Sequence, residues 1–459
     1  MSSYIVHSIE AILYIIIIGM TAYLFCLSIY SIFLSLFGFA KFKKDYPDSK
    51  PEARFLILIA AHNEEVVIGA TLENLKKIQY DRDLYKIVVV NDNSTDRTGE
   101  ICDQYGVAHV DTIEGEFQRE GVGKPAGIQY ALRKLGFEKV KADYDLIMIL
   151  DADNFVDANI LTELNSQWLA KDKPEAIQTY LDCKNSNSIL SFGYCTSYWM
   201  MNRFFQLSKY RLGLPNSIGG TGFVVRSDFL INIGGFCFKS LTEDIELEIE
   251  IVKQQGRVLW NHNTRIYDEK PDNLKTSLKQ RYRWSKGHWY VAFTNLFSLL
   301  KLTFTEFKWK YIDQLFYLFS MGRALQVLII LVNIFILTLL RAYNESSDGF
   351  SSSMLSNLFI VKFAIGTKLA GFMGLGNWMS VVTHMNLFAL FSILYGMFIL
   401  PIYATWMDKG IILNPFKLFF SSLYFGISFV FVQFLAFFRW KKQNTWVVTP
   451  HNKVQEEHK

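Results

Sequence analysis

The stretch Tyr144–Asn154, YDLIMILDADN, is an apolar run that ends on two aspartates one residue apart. A short apolar run bounded by polar residues reads as a fully buried strand. Asp151 and Asp153, at i and i+2 on an extended or turning backbone, can face the same side. Carboxylate oxygens suit a hard cation such as Mg²⁺ or Mn²⁺, which is usually held by one or two carboxylates together with substrate phosphates. A lone pair of this kind is common. Its position at the end of a buried strand gives it weight, and a diphosphate carrying a sugar would then sit on the metal.

Upstream, the same pattern repeats. RFLILIAAHNEE (Arg54–Glu65), KIVVVNDNSTD (Lys86–Asp96) and VAHVDTI (Val107–Ile113) are strand-like runs separated by amphipathic helical segments. Continuous β-branched runs alternating with helices predict a parallel sheet covered on both faces, a Rossmann-like α/β domain. In such sheets ligands bind beyond the carboxyl ends of the strands. The polar residues found there are His62, Asn63 and Glu64, then Asp92 and Asn93, then Asp151 and Asp153. Asn63 and Asn93 read equally well as caps of the following helices. No strand is followed by GxGxxG, which disfavours a nicotinamide or flavin role. In EGVGKPAG (Glu120–Gly127), Lys124 can contact phosphate, or the glycines can simply form a flexible turn.

Downstream, SIGGTGFVVRSDFL (Ser217–Leu230) is a glycine-rich turn entering a strand, where glycine permits close approach. KSLTEDIELEIEIVKQQG (Lys239–Gly256) then starts a helix with Thr242 at the N-cap and two acids in the first turn, where the macrodipole favours anions. Forming a glycosidic bond requires a hydroxyl to lose its proton, and a carboxylate in reach is the natural acceptor. Asp244 is the candidate base, with Glu243 as its neighbour. SLKQRYRWSKGHWY (Ser277–Tyr290) packs cations against aromatics. Arg283 can stabilise a leaving diphosphate, Trp284 can stack on a sugar ring and Gln280 can bind hydroxyls. Arg281, Lys286 and His288 read as interface or surface residues, because a basic aromatic helix also suits lipid headgroups.

The 459 residues are 51% apolar with 39 Phe and only 20% charged, and the excess is uneven. Ala11–Ala40 carries no charge, exceeds the roughly 20 residues of a membrane span and is followed by Lys41, Lys43 and Lys44. By the positive-inside rule the following domain is cytoplasmic. The expected organisation is a transmembrane helix at 1–40, a cytosolic catalytic domain at 41–300 and interfacial helices at 301–323, then a transmembrane or interfacial region at 324–438 and a cytosolic tail at 439–459. Ala324–Leu340 and Val381–Trp406 read as spans; Met354–Met373 and Phe416–Phe438 are ambiguous, so three or five spans are allowed. A net charge of +4 makes no case for nucleic acid. Five scattered cysteines without a CxxC pair fit a reduced compartment.

In order, AAHNEE, VVNDNSTD, GK, LDADN, GGTGFVVR, LTED and QRYRW resemble the family-2 inverting glycosyltransferases of GT-A fold, and more narrowly the membrane-embedded processive branch of cellulose, poly-N-acetylglucosamine and mannan synthases. The resemblance spans about Arg54 to Trp289. It implies a cytosolic α/β GT-A domain inserted between transmembrane helices, in a multi-pass protein of the cell membrane. It further implies a metal-dependent hexosyltransferase that extends a β-linked polysaccharide from a UDP-sugar, UDP-glucose or UDP-N-acetylglucosamine, and exports it. His62 and Glu64 would line the donor site and Asp92 would meet the uracil. Asp151 and Asp153 would face diphosphate and metal, with Lys124 beside them. Asp244 would be the base, and Gln280, Arg283 and Trp284 form the QxxRW signature. WVVTPH in the tail looks like a gating loop over the nucleotide, carried by Trp446 and Thr449. AAHNEE lacks the family's usual Pro and Tyr, and TED in place of a Gly-Asp-Asp form argues against hyaluronan. A non-processive enzyme glycosylating diacylglycerol or polyprenyl phosphate is the alternative. The expected partners are the UDP-sugar, a growing polysaccharide or lipid acceptor, and membrane lipids, with no nucleic acid.

Overall fold

Charge-poor α1 (Ser2–Leu36) opens the chain and belongs to a helical unit taken up below. The apolar runs that follow build the sheet of the second unit, in a computed structural model that describes residues 2–320, 322–345 and 378–443. First come β1 (Phe55–Ala61), α2 (Ile68–Leu75), β2 (Tyr85–Asn91), α3 (Thr98–Gln104) and β3 (Ala108–Asp111). Next are α4 (Lys124–Leu135), α5 (Phe137–Asp143), β4 (Leu146–Asp151), β5 (Phe155–Val156), α6 (Ile160–Ala170) and β6 (Ala176–Cys183). The rest of the domain is α7 (Ile189–Met201), α8 (Ser208–Arg211), β7 (Phe223–Arg226), α9 (Ser227–Asn232), α10 (Glu243–Lys253) and β8 (Val258–Asp268). Two further helices close it, α11 (Leu274–Glu306) and α12 (Trp309–Phe319).

The strands form one eight-stranded sheet in the order β3-β2-β1-β4-β7-β6-β8-β5, a GT-A arrangement. Side chains alternate between faces, so a continuous apolar strand serves two cores. Phe55, Ile57 and Ile59 of β1 pack with Leu72, Leu75 and Leu164, while Leu56 and Leu58 join Ile128, Leu132 and Leu247 on the other side. The register pairs Ala61 with Asn91 and Ala60 with Asp151, so β1, β2 and β4 end level at one rim.

The sheet is mixed, whereas the sequence pattern predicts a parallel one. β7 runs antiparallel to both β4 and β6, and β5 antiparallel to β8. The reason lies in the glycine turn before β7. Gly222 has φ +64 and donates its N–H to Ile149 O at 2.9 Å. The turn therefore lies on the rim itself, and the strand that leaves it can only run back down the sheet. A Cβ at Gly222 would sit 2.7 Å from Ile266, so no other residue fits there.

The other unit contains α1, α13 (Arg323–Glu345) and α14 (Trp378–Leu394). Leu24, Ile330, Ile334, Ala389 and Ile393 form its core, while Ile15 and Ile16 remain exposed. Within that core Asn386 Nδ2 donates to Thr21 Oγ1 at 2.8 Å, the interhelical hydrogen bond expected where no water competes. A π-helical turn, Tyr395–Ile399, joins α14 to α15 (Leu400–Lys409). The last helix, α16 (Pro415–Phe438), is capped by Asn414, whose side chain accepts from Phe416 N and Lys417 N. Among the described residues four stretches can cross a membrane by length and composition: Ile12–Leu36, Arg323–Leu340, Ser380–Lys409 and Pro415–Phe438. The compact units divide as Met1–Leu36 with Ser320–Leu400, and Phe37–Phe319 with the described residues from Pro401 onward. The boundary expected at residue 300 falls inside α11. The ambiguous stretch Met354–Met373 and the tail from 444 onward lie outside the described residues.

Candidate active site

The rim is assembled from the first residues beyond each strand. After β1, His62 Nδ1 lies 2.6 Å from the Asp92 carbonyl oxygen, so this nitrogen carries the proton and donates it. Glu64 N–H donates to Thr98 Oγ1, and the Glu64 carbonyl accepts from Val67 and Ile68 at the start of α2. Asn63 and Asn93 both adopt left-handed backbone, φ +57 and +53, and neither caps a helix. Asn63 Oδ1 accepts from Thr95 N, and Asn93 Nδ2 donates to Asp92 Oδ1. They are turn residues that knit the two loops together, and this supersedes the capping reading.

Asp92 is buried and held by a bidentate ion pair from Arg119, at 2.8 and 2.6 Å. A Cβ at Gly127 would lie 3.2 Å from the Asp92 carboxyl carbon, so a glycine on α4 lets that helix approach. Asn93, Thr112, Phe117, Arg119 and Tyr130 line a recess of about 410 Å³ beside it. Arg119 was not singled out from sequence. It lies in a loop without periodicity, and only the fold brings it to Asp92.

Lys124, the first residue of α4, bridges two segments: its Nζ donates to Asp151 Oδ1 at 2.5 Å and to Gly220 O at 2.6 Å. Gly220 has φ +80, and a Cβ there would be 3.2 Å from Asp244 Oδ2. Asp151, Lys124, Gly220 and Asp244 therefore occupy one recess. Asp153 is buried, accepting from Asn154 Nδ2 and Glu269 N. Its neighbour Asp268 is raised to about 6 by burial, with Asp153 and Asp151 adding to the push against Lys270. Asp151, Asp153 and Asp268 thus share one corner, where Lys124 and Lys270 already offset part of their charge. Among the described residues no group of three or more His, Cys, Asp or Glu side chains is placed to hold a metal. Two carboxylates, one of them partly exposed, fit the ligand share that a protein offers to Mg²⁺ or Mn²⁺ when phosphate and water supply the rest.

Helix α10 begins at Glu243, and Thr242 occupies the N-cap position without a capping hydrogen bond. Its hydroxyl is instead pressed against α11, where a Cβ at Gly287 would lie 2.5 Å from Thr242 Oγ1. Burial raises Glu243 to about 7, with Asp244 adding and Lys124 and Arg283 opposing. Burial also raises Asp244 to about 6, against an Ile245 N–H bond and the same two cations. A carboxylate poised near neutrality suits proton transfer.

The QxxRW residues ride on α11, whose first turn is capped by Asn273. Arg283 Nη1 donates to Leu241 O at 3.3 Å. Burial lowers its pKa against the pull of Glu243, Asp151 and Asp244, which places the guanidinium among the carboxylates. Gln280 Oε1 accepts from Tyr194 OH at 3.3 Å, and Trp284 meets the Tyr194 ring edge-on with centroids 6.2 Å apart. Tyr194 of α7, fully buried, was not legible because α7 is apolar on nearly every side. Arg281 and Lys286 are not surface residues, and His288 is half-buried. Arg281 is 1% exposed and donates to Phe425 O and Ser428 Oγ of α16, Lys286 is buried, and His288 Nε2 lies 2.7 Å from Leu318 O. A helix packed on both α12 and α16 has little free surface left for them. Trp446 and Thr449 lie outside the described residues.

Residues 51–287, over half of the chain, match the model of a family described as glycosyltransferase like family 2. A probable glycosyltransferase of Bacillus subtilis, YdaM, is 27% identical over 323 residues, covering 67% of this chain and 74% of that protein. A poly-beta-1,6-N-acetyl-D-glucosamine synthase of Staphylococcus aureus is 25% identical over 244 residues, which is 53% of this chain and 57% of the synthase. Among solved structures, the mannosyltransferase PcManGT of Pyrobaculum calidifontis, in complex with GDP-Man and Mn²⁺, aligns at 17% identity and TM-score 0.49. That alignment covers 84% of this chain and 98% of that one.

Proposed function

The chain belongs to glycosyltransferase family 2, and from that premise we propose that it is a membrane-bound, inverting hexosyltransferase that extends a β-linked polysaccharide from a UDP-sugar. The observation that carries the reading is the single recess shared by Asp151, Lys124, Gly220, Asp244 and Arg283. The recess beside Asp92 receives the nucleoside, with Arg119 released from the carboxylate, and His62 and Glu64 would meet the donor from the end of β1. Asp151 and Asp153 would hold Mg²⁺ or Mn²⁺, which when bound supplies charge neutralisation at the diphosphate. The acceptor hydroxyl attacks the anomeric carbon as the bond from that carbon to the diphosphate oxygen breaks. Asp244 takes the hydroxyl proton and UDP leaves with the bonding electron pair. Arg283 meets the charge that develops on the leaving oxygen, in a site where burial strengthens the interaction. Trp284 and Gln280, set by Tyr194, present a flat face and an amide to the acceptor sugar.

The membrane arrangement that goes with this reading has three spans among the described residues, α1, α13 and the α14–α15 stretch, with the catalytic unit cytoplasmic beside Lys41, Lys43 and Lys44. Helix α16 would lie in the interface instead of crossing. A helix of 24 residues is about 36 Å long, so a crossing would part its ends across the bilayer. Both ends are instead held by the catalytic unit: Lys417 Nζ donates to Ser186 O at 3.2 Å, and Gln443 just beyond the helix accepts from Leu241 N at 2.8 Å. The outer face, with Phe416, Ile427, Phe431 and Phe438 exposed, would rest in lipid.

Purified protein given a panel of UDP-sugars with Mg²⁺ or Mn²⁺ should yield a polymer from one of them. A product limited to a monosaccharide lipid would replace the polysaccharide reading by glycolipid synthesis. Ile412→Cys and Lys441→Cys, each in a cysteine-free background, should react with an impermeant maleimide from the same side of sealed vesicles. Labelling from opposite sides would mean that α16 crosses.

A further inference from the structure

The base-bearing turn is held from outside the region that the family shares. Gln443 follows α16, far beyond residue 287 where the family match ends. It is 7% exposed, and one side-chain amide joins two parts of the recess. Its Oε1 accepts from Leu241 N at 2.8 Å, and its Nε2 donates to Lys286 O at 3.3 Å on α11. Leu241 is itself buried and directly precedes Thr242, Glu243 and Asp244. A buried peptide N–H requires a partner, and the amide of Gln443 provides it. The Leu241 carbonyl accepts from Arg283. The Leu241 residue is thus gripped through its N–H by Gln443 and through its carbonyl by Arg283. The Gln443 Nε2 also donates to Trp440 O at 2.5 Å, and Lys286, whose carbonyl is its other acceptor, lies on the same helix as Arg283. Aromatic packing seats the segment: Trp440 lies 5.0 Å from the Phe293 ring, and Phe437 lies 5.3 Å from Trp289, centroid to centroid.

We infer that Gln443 is a positioning residue for glycosyl transfer, setting the Leu241–Asp244 turn and the QxxRW helix at their working separation. It touches neither donor nor acceptor. Its effect passes through two groups that must act on one bond at once, the carboxylate that takes the proton and the guanidinium that meets the leaving diphosphate. Small displacements of such groups slow chemistry more than they weaken binding. The inference rests on the proposed transfer reaction with Asp244 as base.

The test compares Gln443→Ala, Gln443→Glu and Asp244→Asn in the full-length protein. In Gln443→Ala, kcat should fall about tenfold with KM for the UDP-sugar within about twofold. The acid limb of its pH profile should move, and amide hydrogen exchange should quicken in the peptide that holds Leu241. Gln443→Glu keeps an oxygen for the Leu241 N–H but loses the donor to Lys286 O, so Leu241 exchange should stay near that of the parent while kcat remains lowered, a split that a merely structural role would not produce. Normal kcat and unchanged exchange in Gln443→Ala would overturn the inference, as would equal losses of kcat and of Leu241 protection in both variants with a lowered melting temperature. If Gln443→Ala does not fold, Gln443→Glu alone decides: lowered kcat with protected Leu241 exchange supports the inference, and a normal kcat overturns it. Full transfer by Asp244→Asn would overturn the reaction reading instead. Loss of transfer there, with a normal Gln443→Ala, would overturn only the role of Gln443.

Discussion

The catalytic unit buries two kinds of acidic cluster, and they are treated in opposite ways. At the rim, Glu243 and Asp244 sit among few hydrogen-bond donors and are raised to about 7 and about 6, by burial first. Near the end of β6, Asp182 accepts from Lys409 Nζ at 2.8 Å, Trp199 Nε1 at 2.7 Å and Arg265 at 3.1 Å. Burial alone would raise Asp182 too, yet Lys409 and Trp199 hold it below the usual carboxylate range. Asp408 beside it pairs with Arg203 and with His262. A buried acid with a full set of partners is structural. One that is left short of them is poised to accept a proton.

The widest separation between the two clusters should appear on substitution. Asp244→Asn should lower transfer by about 10²–10⁴-fold, with UDP product inhibition and melting temperature near those of the parent. Arg203→Met should do the reverse, leaving Asp408 buried with only the His262 imidazole beside it, at a cost of up to about 3–5 kcal/mol, read as a lowered melting midpoint with the surviving folded protein still binding UDP. A rate-only loss in Arg203→Met would erase the distinction.

The pH response sharpens it. In the proposed reaction Asp244 must be ionised to take the proton, so kcat should fall as pH drops through about 6. Stability should move in the opposite sense. Glu248 of α10 is raised from 4.5 to about 8, by burial first, so between those values the folded chain binds the proton that the unfolded chain has lost. Stability then declines as pH rises through that window, by at most about 1.4 kcal/mol per unit for one proton. Glu248→Gln should flatten that slope in melting experiments and leave the acid limb of kcat in place. The smallest effect belongs to Thr242→Ala. Its hydroxyl caps nothing, so the change in folding stability should stay below the roughly 1 kcal/mol of an ordinary N-cap. A larger loss would show a bond at that hydroxyl.

Much of the rim was legible because strand ends announce themselves. Residues after an apolar run meet solvent and ligand, so His62, Asp92 and Asp151 could be placed before their neighbours were known. Asp244 and Arg283 were legible as residue types that the chemistry needs at a helix start and on a basic helix. Arg119, Tyr194 and Gln443 were not: each lies in a stretch whose local pattern says only loop, apolar helix or tail. The reversed direction of β7 escaped for a similar reason, since a four-residue strand looks alike from either end. Helix α16 shows the limit most plainly. Its 24 residues satisfy every criterion of length and apolarity for a span, and both of its ends are nonetheless held by the catalytic unit.

By itself the amino-acid sequence determined the alternation of strands and helices, the acidic rim, the apolar segments and the family. These depend on periodicity and on residue chemistry within a few positions, which a linear chain displays directly. The tertiary structure alone decided the sheet's mixed direction, the Lys124 bridge between Asp151 and Gly220, the full pairing of Asp182 and the grip of Gln443 on Leu241. Each of these joins residues far apart in the chain, where a pairing is selected by which polar groups share a desolvated space once the cores have closed. That selection leaves no periodic mark in the sequence.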